Sequence, residues 1–348
     1  MVISFIQMVR FTAYRKYLYY LQHFATPKKL HNILLNKSEQ KNKLIQLKSK
    51  PFKITLDPGN VCNLKCPCCH TGIRHTEMIQ PTFLSFKNYK IVFSNVKDYA
   101  LSVALYNWGE PLLNKEIFDM IDYTTANKVG STLHSNFNYL TPAMAENLVK
   151  SKLTHIYLSI DGASQEVYSK YRVKGNYDKV LGNIELLVDA KKRAKSKFPF
   201  ITWKYLTFPF NIHEVEAART KAEQLGVDNF EVFTASPHLM DIYDEAEKIS
   251  ANSTSLANTP EMCSSLWSSL YVGPDGTVFP CSLSFRKSES FGNLLDDKLS
   301  TIWNNSSYQA SRKMFSSSSD LDAVPLPCKG CKYFLKCSRK AQMTARLN

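Results

Sequence analysis

The stretch CNLKCPCC, residues 62–69, holds four of the nine cysteines of the 348-residue chain. Cys62, Cys66 and Cys69 have the spacing C-x3-C-x2-C, shortly after a predicted strand at residues 52–57. Three thiolates on a four-iron cluster leave one iron open for a further ligand, whereas a zinc knuckle would complete its ligand set with a nearby histidine. Parallel α/β folds keep their chemistry at the carboxyl ends of the strands, so this placement favours a functional site.

Outward from this stretch, the chain alternates between strand-like and helix-like segments. β-branched and aromatic runs predict six strands, and amphipathic runs predict the helices that connect them. The predicted strands are residues 52–57, 101–106, 130–135, 155–160, 200–206 and 229–233, and the predicted helices are 86–95, 115–127, 142–151, 165–171, 177–194 and 213–225. Consecutive βα units predict an α/β fold with a parallel sheet, either open or curled into a partial (β/α)6 TIM-like barrel.

Short polar motifs follow three further predicted strands. They read WGEP at residues 108–111, SN at residues 135–136, and SIDG at residues 159–162, with Tyr168 and Arg172 forming a Y-x-x-x-R pair on the next helix. In type, order and strand placement, these motifs and the cysteine loop resemble the radical S-adenosylmethionine (radical SAM) superfamily. The joint match is more specific than any single motif.

The resemblance implies two cofactors at these strand ends. One is a 4Fe–4S cluster with three ligands, Cys62, Cys66 and Cys69. The other is S-adenosylmethionine, whose implied contacts are Gly109, Glu110, Pro111, Ser135, Asn136, Ser159, Asp161 and Arg172. One electron from a flavodoxin- or ferredoxin-type donor would release a 5′-deoxyadenosyl radical, which takes a hydrogen atom from the substrate. Three residues depart from the family pattern and concern the shape of the pocket: Cys68, Trp108 and Phe137. Whether Cys68 rather than Cys69 is the third cluster ligand stays open.

A second group of cysteines lies in the last part of the chain. Cys263 and Cys281 are followed by the spacing C-x2-C-x5-C at Cys328, Cys331 and Cys337. This arrangement resembles the auxiliary-cluster extension of the same superfamily, called SPASM in its full form and twitch in its shorter form. The resemblance implies one auxiliary 4Fe–4S cluster on the first four of these cysteines, with Cys337 free or an exchangeable ligand. A zinc site that only staples the segment is the alternative, because thiolates suit both metals.

Three domains are predicted, with a basic, aromatic-rich helical extension at residues 1–50, a core at 51–249 and an auxiliary iron–sulfur domain at 250–348. The last contains a predicted hairpin around residues 273–276. The extension has ten Lys and Arg against one acid, or +9 of the formal net charge of +14. Its predicted helix from Pro27 either packs on the core or lies on an anionic membrane surface. The rest of the chain is only mildly basic, so no nucleic-acid partner is expected.

The sequence predicts a cytoplasmic protein, with a peripheral membrane contact through residues 1–50 as an alternative. No apolar run approaches the ~20 residues that span a bilayer, and the first residues lack the pattern of a secretory signal. Clustered cysteines bind metal more often than they form disulfides in a reducing compartment.

The resemblance leads to one main functional prediction. It is a radical SAM oxidoreductase that oxidises or rearranges a small polar substrate of sugar or aminocyclitol type, with the auxiliary cluster as electron acceptor. A peptide-modifying maturase, an enzyme acting on a lipid or lipid-linked glycan, and a non-enzymatic iron–sulfur scaffold or electron carrier are the alternatives. His134 is a candidate general base and Cys337 a candidate hydrogen-atom donor, although a packed histidine and an inert cysteine are the simpler interpretations.

Overall fold

The computed structural model describes residues 18–67, 69–235 and 263–315, and the single residues 324, 328, 329 and 331. Cys68, Cys337 and the predicted domain boundary at residue 250 lie outside the described residues, and the domain boundaries stay predictions. Within the described segments, no helix combines the length and the apolar character needed to cross a bilayer.

Six parallel strands form the centre of the fold, and each pairs with the next one along the chain. Their bounds agree with the predicted strands to within one residue at either end. The strands are β1 Lys53–Leu56, β2 Ser102–Leu105, β3 Gly130–Ser135, β4 His155–Ser159, β5 Phe200–Thr207 and β6 Asn229–Thr234.

Helices connect these strands and begin at capping residues that the sequence supplies. The Thr26 hydroxyl accepts a hydrogen bond from the Lys29 amide at 3.3 Å, and Pro27 occupies the first turn, where its missing N–H costs nothing. The helices are α1 Pro27–Lys41, α2 Phe86–Ser94, α3 Ile117–Ala126, α4 Pro142–Lys150, α5 Gln165–Tyr171, α6 Tyr177–Arg193 and α7 Val215–Gln224, with 3-10 turns at Pro111–Leu113, Ile212–Glu214 and Lys287–Glu289. The six predicted helices of the core are confirmed as α2 to α7.

The hairpin of the C-terminal segment continues the core sheet. Strand β7 Ser269–Val272 pairs in parallel with β1, and β8 Thr277–Phe279 and β9 Gly292–Asn293 follow in antiparallel pairing. Gly276 closes the β7–β8 turn at a φ of +84°, a conformation that glycine adopts without strain. The hairpin was predicted, but its pairing with β1 was not. This pairing places the cysteine-rich C-terminal segment beside the strand that leads into the first cysteine loop. Three further short or medium helices complete the segment: α8 Ser265–Ser268, α9 Leu299–Ile302 and α10 Ser306–Lys313.

The two faces of the parallel strands differ in chemistry because successive side chains point to opposite faces. One set is apolar and packs with the helices in the main core, as Leu56, Leu105, Leu133, Ile156 and Trp203 do. The other set lines a cavity inside the curled sheet and includes Thr55, Ala104, Thr132, His134, Tyr157 and Lys204. The curled parallel sheet and its outer helices have the layout of the predicted partial barrel.

The described part of the N-terminal extension packs on the rest of the molecule. Residues 18–24 are helical, and the Tyr20 hydroxyl lies 3.2 Å from the Thr132 hydroxyl at the amino-terminal side of the barrel. The indole nitrogen of Trp267 donates to the Leu44 carbonyl at 2.9 Å, which joins the extension to the C-terminal segment. These contacts agree with the packed-helix alternative, and membrane contact through residues 1–50 stays a prediction.

Candidate active site

The loop after β1 brings three thiols together, and we call Cys62, Cys66 and Cys69 the first thiol set. They pack in one small cluster with neighbours such as Tyr171 and Phe208. The Cys69 amide donates to the Cys66 carbonyl at 3.1 Å, which folds the loop into a turn. Burial raises the pKa of Cys62 to about 12 and also raises that of Cys66, so these thiols need a cation to ionise.

Polar groups from two other strand ends reach the first thiol set. Asn136 follows β3, and its side-chain amide nitrogen lies 3.6 Å from the Cys62 sulfur. A guanidinium nitrogen of Arg172, at the end of α5, lies 3.8 Å from the Cys66 sulfur. The fold therefore brings two of the predicted S-adenosylmethionine contacts to the thiols that are predicted to hold the cluster.

Glu110 fixes the end of β2 to the end of β3. Its carboxylate accepts hydrogen bonds from the Ser135 hydroxyl at 2.8 Å and from the Asn136 backbone amide at 2.7 Å. Burial raises the pKa of Glu110 to about 7. The carboxylate is occupied by these bonds and by the Leu112 amide at 3.1 Å, so its role in the described structure is to position the strand ends.

The backbone before Glu110 lies unusually close to the first loop. A Cβ atom built on Gly109 would lie 1.7 Å from the Gly59 carbonyl oxygen, so only glycine fits there. The Glu110 amide donates to the Val61 carbonyl at 2.9 Å, and Pro111 begins the 3-10 turn that follows. The WGEP motif is thus attached directly to the loop that carries the first thiol set.

A buried ion pair follows β4. The Asp161 carboxylate accepts from the Arg172 guanidinium at 2.6 Å and from the Leu206 amide at 2.7 Å. Burial opposes the Arg172 charge, but the neighbouring Asp161 and Cys66 hold the pKa of Arg172 well above its usual value. Arg172 is therefore a fixed cation beside the first thiol set. Ser159 is half-buried at the end of the same strand.

The inside of the barrel holds a cavity of about 460 Å³. His134 stacks on Tyr106 with ring centroids 3.7 Å apart and lies 4.4 Å from the Tyr157 ring. Lys204 on β5 and Glu231 on β6 also line the cavity, and burial lowers the pKa of Lys204. The sequence pointed to His134 alone. The other four are Tyr106, Tyr157, Lys204 and Glu231. Alternate residues of a strand share a face, and this alternation of polar side chains could have identified them.

Four further thiols meet beside β7 and β8, and we call Cys263, Cys281, Cys328 and Cys331 the second thiol set. Burial raises the pKa of Cys328 to about 12, and the other three thiols are close enough to raise it further. The Cys331 amide donates to the Cys328 carbonyl at 3.1 Å. The described residues thus place all four predicted auxiliary ligands together, although they come from separate parts of the sequence.

The C-terminal segment also covers the first cysteine loop. The indole nitrogen of Trp108 donates to the Ser284 carbonyl at 3.2 Å. The His70 ring stacks on Phe285 with centroids 3.6 Å apart. Arg286 continues this contact through an ion pair with Glu77 at 2.5 Å. The two thiol sets therefore flank one interface within the molecule.

The donor sets fit iron–sulfur clusters. Thiolates are the usual ligands of 4Fe–4S clusters, and each thiolate binds a different iron. Tyr308 adds a second observation, because its buried hydroxyl near the second thiol set has no hydrogen-bond partner among the described atoms. The individual ligands stay predictions.

These features are those of an α/β iron–sulfur protein. Residues 56–220 match the model of the radical SAM superfamily, and residues 263–332 match that of SPASM, an iron–sulfur cluster-binding domain. The chain belongs to the radical SAM superfamily of enzymes and carries a SPASM domain. The cofactors of the two domains are accordingly a 4Fe–4S cluster with S-adenosylmethionine and auxiliary iron–sulfur chemistry.

Three curated relatives differ in what they make. The mycofactocin maturase MftC of Mycolicibacterium smegmatis is 28% identical over 140 residues, or 40% of this chain and 35% of that protein. An AdoMet-dependent heme synthase of Methanosarcina barkeri is 26% identical over 195 residues, or 56% of this chain and 53% of that protein. A PqqA peptide cyclase of Rhizobium meliloti is 24% identical over 313 residues, or 81% of this chain and 80% of that protein. The chain thus spans about a third to a half of the first two relatives.

Solved structures share the fold. SuiB of Streptococcus suis superposes with a TM-score of 0.61 at 15% identity, covering 88% of this chain and 76% of that chain. SuiB has also been solved bound to S-adenosylmethionine and bound to the precursor peptide SuiA. At this identity the likeness concerns the fold, which is the predicted barrel with its auxiliary segment.

Proposed function

We propose that this chain modifies a peptide by radical chemistry and oxidises one of its residues. The observation that carries the proposal is the similarity to a PqqA peptide cyclase over about four-fifths of both chains. This favours the peptide alternative over the sugar or aminocyclitol substrate of the main prediction.

The first thiol set would hold the radical SAM cluster, and the polar groups around it would hold S-adenosylmethionine. When bound, these cofactors supply the 5′-deoxyadenosyl radical that takes a hydrogen atom from the substrate. Arg172 offers a fixed positive charge to a carboxylate, and Asp161 keeps this charge in place. Glu110 holds Asn136 at the edge of the site.

The barrel cavity would take one side chain of the peptide, with the rest of the peptide outside. Its volume of about 460 Å³ lies within the usual range for small ligands, ~300–1,000 Å³, and is too small for a folded peptide. Its lining includes the aromatic rings of Tyr106, His134 and Tyr157 and the charged groups of Lys204 and Glu231. This lining suits a polar or aromatic side chain.

The proposed reaction is a two-electron oxidation. The substrate carbon would lose a hydrogen atom, one electron and one proton in all, with the electron accepted by a cluster that the second thiol set would hold and the proton by a base. His134 is the candidate base because it lines the cavity. The electron would leave the second thiol set's cluster for an external acceptor of the flavodoxin or ferredoxin type.

A test compares three classes of substrate with the full-length protein under anaerobic conditions. The reduced protein and S-adenosylmethionine are mixed with a defined synthetic peptide library, an iron porphyrin or an aminocyclitol. We expect only the peptides to stimulate 5′-deoxyadenosine formation, with a product lighter by two hydrogens in mass spectrometry. Stimulation by the porphyrin or the aminocyclitol, without any by peptides, would refute the proposed substrate class and leave the radical chemistry standing.

A further inference from the structure

Helix α10 presents three unusual side chains to the second thiol set. Tyr308, Ser311 and Arg312 are three and four residues apart, so they lie on one face of the helix. All three side chains are fully buried. A polar face that is buried to this degree needs partners for its donors.

Two of these donors are buried hydroxyl groups, on Tyr308 and on Ser311. The Tyr308 ring is held firmly, with Phe291 at 4.9 Å and Trp303 at 4.7 Å between ring centroids. Ser311 has the Cys328 sulfur within reach, whereas the Tyr308 hydroxyl has no partner among the described residues, and a buried hydroxyl normally has one.

The second thiol set lies next to both hydroxyls. Ser311 is close enough to Cys328 to lower the pKa of that thiol, against the larger effect of burial. Tyr308 belongs to the main apolar core, and Cys263 and Cys328 of the second thiol set pack against the same core. The acceptors that would satisfy the two hydroxyls are therefore sulfur atoms.

Arg312 adds a buried positive charge behind Tyr308. Its guanidinium donates to the carbonyls of Leu266, Ile45 and Trp303 and to the Asn304 side chain, at 2.9 to 3.0 Å. The carbon of the guanidinium lies 5.0 Å from the centroid of the Tyr308 ring. These hydrogen-bond partners are neutral, and the nearby Glu39 carboxylate favours the charged form of Arg312 against the larger effect of burial, so Arg312 fixes the position of α10 behind Tyr308.

We propose that Tyr308 and Ser311 donate hydrogen bonds to the sulfur atoms of the auxiliary cluster and that α10 thereby raises the reduction potential of this cluster. Hydrogen bonds to sulfur favour the reduced cluster, because reduction adds negative charge. A raised potential suits a cluster that accepts an electron from a substrate radical. The inference rests on the second thiol set as cluster ligands and needs no particular substrate.

The test is a redox titration of the full-length protein with both clusters in place, followed by electron paramagnetic resonance. The signal that S-adenosylmethionine alters belongs to the first cluster, and the other signal reports the auxiliary cluster. We expect Tyr308→Phe and Ser311→Ala each to shift the auxiliary midpoint potential downward, with the iron content and the first midpoint unchanged. Tyr177→Phe is the matched control, because this hydroxyl is also buried without a partner but lies on α6, away from the second thiol set.

An auxiliary midpoint that stays unchanged in both variants, at full iron content, would overturn the proposal. If Tyr308→Phe loses the cluster, Ser311→Ala decides the question by itself. A shift of equal size in Tyr177→Phe would also overturn it, since the effect would then be a general one of removing a buried hydroxyl. Failure here leaves the proposed peptide chemistry untouched, because the titration contains no substrate.

Discussion

The first thiol set after β1 and the second thiol set beside β7 and β8 border the same sheet, but different groups surround their sulfur atoms. The first meets an amide and a guanidinium, with Asn136 at 3.6 Å and Arg172 at 3.8 Å. The second meets the Ser311 hydroxyl of α10 at Cys328 and the Ser284 hydroxyl at Cys281. Three thiols with polar groups that converge from other strands suit a cluster with an open iron, whereas four thiols with buried hydroxyls suit a closed electron acceptor.

Removing a cysteine from either set should separate the two roles most strongly. We expect Cys66→Ala to reduce 5′-deoxyadenosine formation to background and to leave the auxiliary cluster. Cys281→Ala should retain 5′-deoxyadenosine formation and lose substrate oxidation. Iron counts and product assays on matched preparations measure both effects. Full 5′-deoxyadenosine formation by Cys66→Ala would break the distinction between the two sets.

The ion pair at the first thiol set gives the next largest effect. Arg172→Met leaves the buried Asp161 carboxylate without its cation, which typically costs about 3–5 kcal/mol of the free energy of unfolding. Arg193→Met is the control, because its ion pair with Glu146 is mostly exposed and worth at most ~1 kcal/mol. Chemical denaturation of the apoprotein measures both. Equal losses in the two variants would mean that Arg172 and Asp161 do not form a buried pair.

The close approach of the WGEP backbone to the first loop predicts a smaller, local effect. Gly109→Ala must displace the Gly59 carbonyl, and overpacking of this kind costs about 1–3 kcal/mol. We expect weaker binding of S-adenosylmethionine in equilibrium dialysis, with the auxiliary cluster intact. Gly182→Ala is the matched control, since a Cβ there meets open space on helix α6 and stabilises the helix by up to ~1 kcal/mol. Unchanged binding in Gly109→Ala would argue against a role for this backbone.

The smallest predicted effect is a pH dependence that belongs to the first site. The pKa of Glu110 rises from its usual 4.5 to about 7 through burial, so folding favours the protonated form. This contribution to stability is complete below about pH 4.5 and is lost as the pH rises through about 7. Glu110→Gln should therefore lose less stability than the wild type between pH 5 and pH 8, as measured by thermal unfolding of the apoprotein. Parallel pH profiles would contradict the assignment.

The sequence predicts the first thiol set better than the second for a physical reason. Cys62, Cys66 and Cys69 lie within one loop, so their spacing alone limits where the sulfur atoms can go. The strand positions follow from runs of β-branched and aromatic residues, and the helix starts follow from caps such as Thr26. These local features account for the agreement of β1 to β6 and α2 to α7 with the structure.

Long-range contacts account for what the sequence does not predict. The pairing of β7 with β1 depends on how the chain returns across more than two hundred residues, and no local pattern specifies it. The roles of Lys204 and Tyr106 in the cavity depend on the curl of the sheet. Similarly, the face of α10 looks unremarkable as a sequence, and only its burial beside the second thiol set gives Tyr308 a function.

Metal analysis of anaerobically purified full-length protein, combined with an assay for 5′-deoxyadenosine, tests the two-site account most directly. We predict about eight irons per chain with matching sulfide, little zinc, and 5′-deoxyadenosine formed on reduction with S-adenosylmethionine. About four irons and one zinc would contradict the electron-accepting role of the second thiol set. Zinc alone, with no cleavage of S-adenosylmethionine, would contradict the account at both sites.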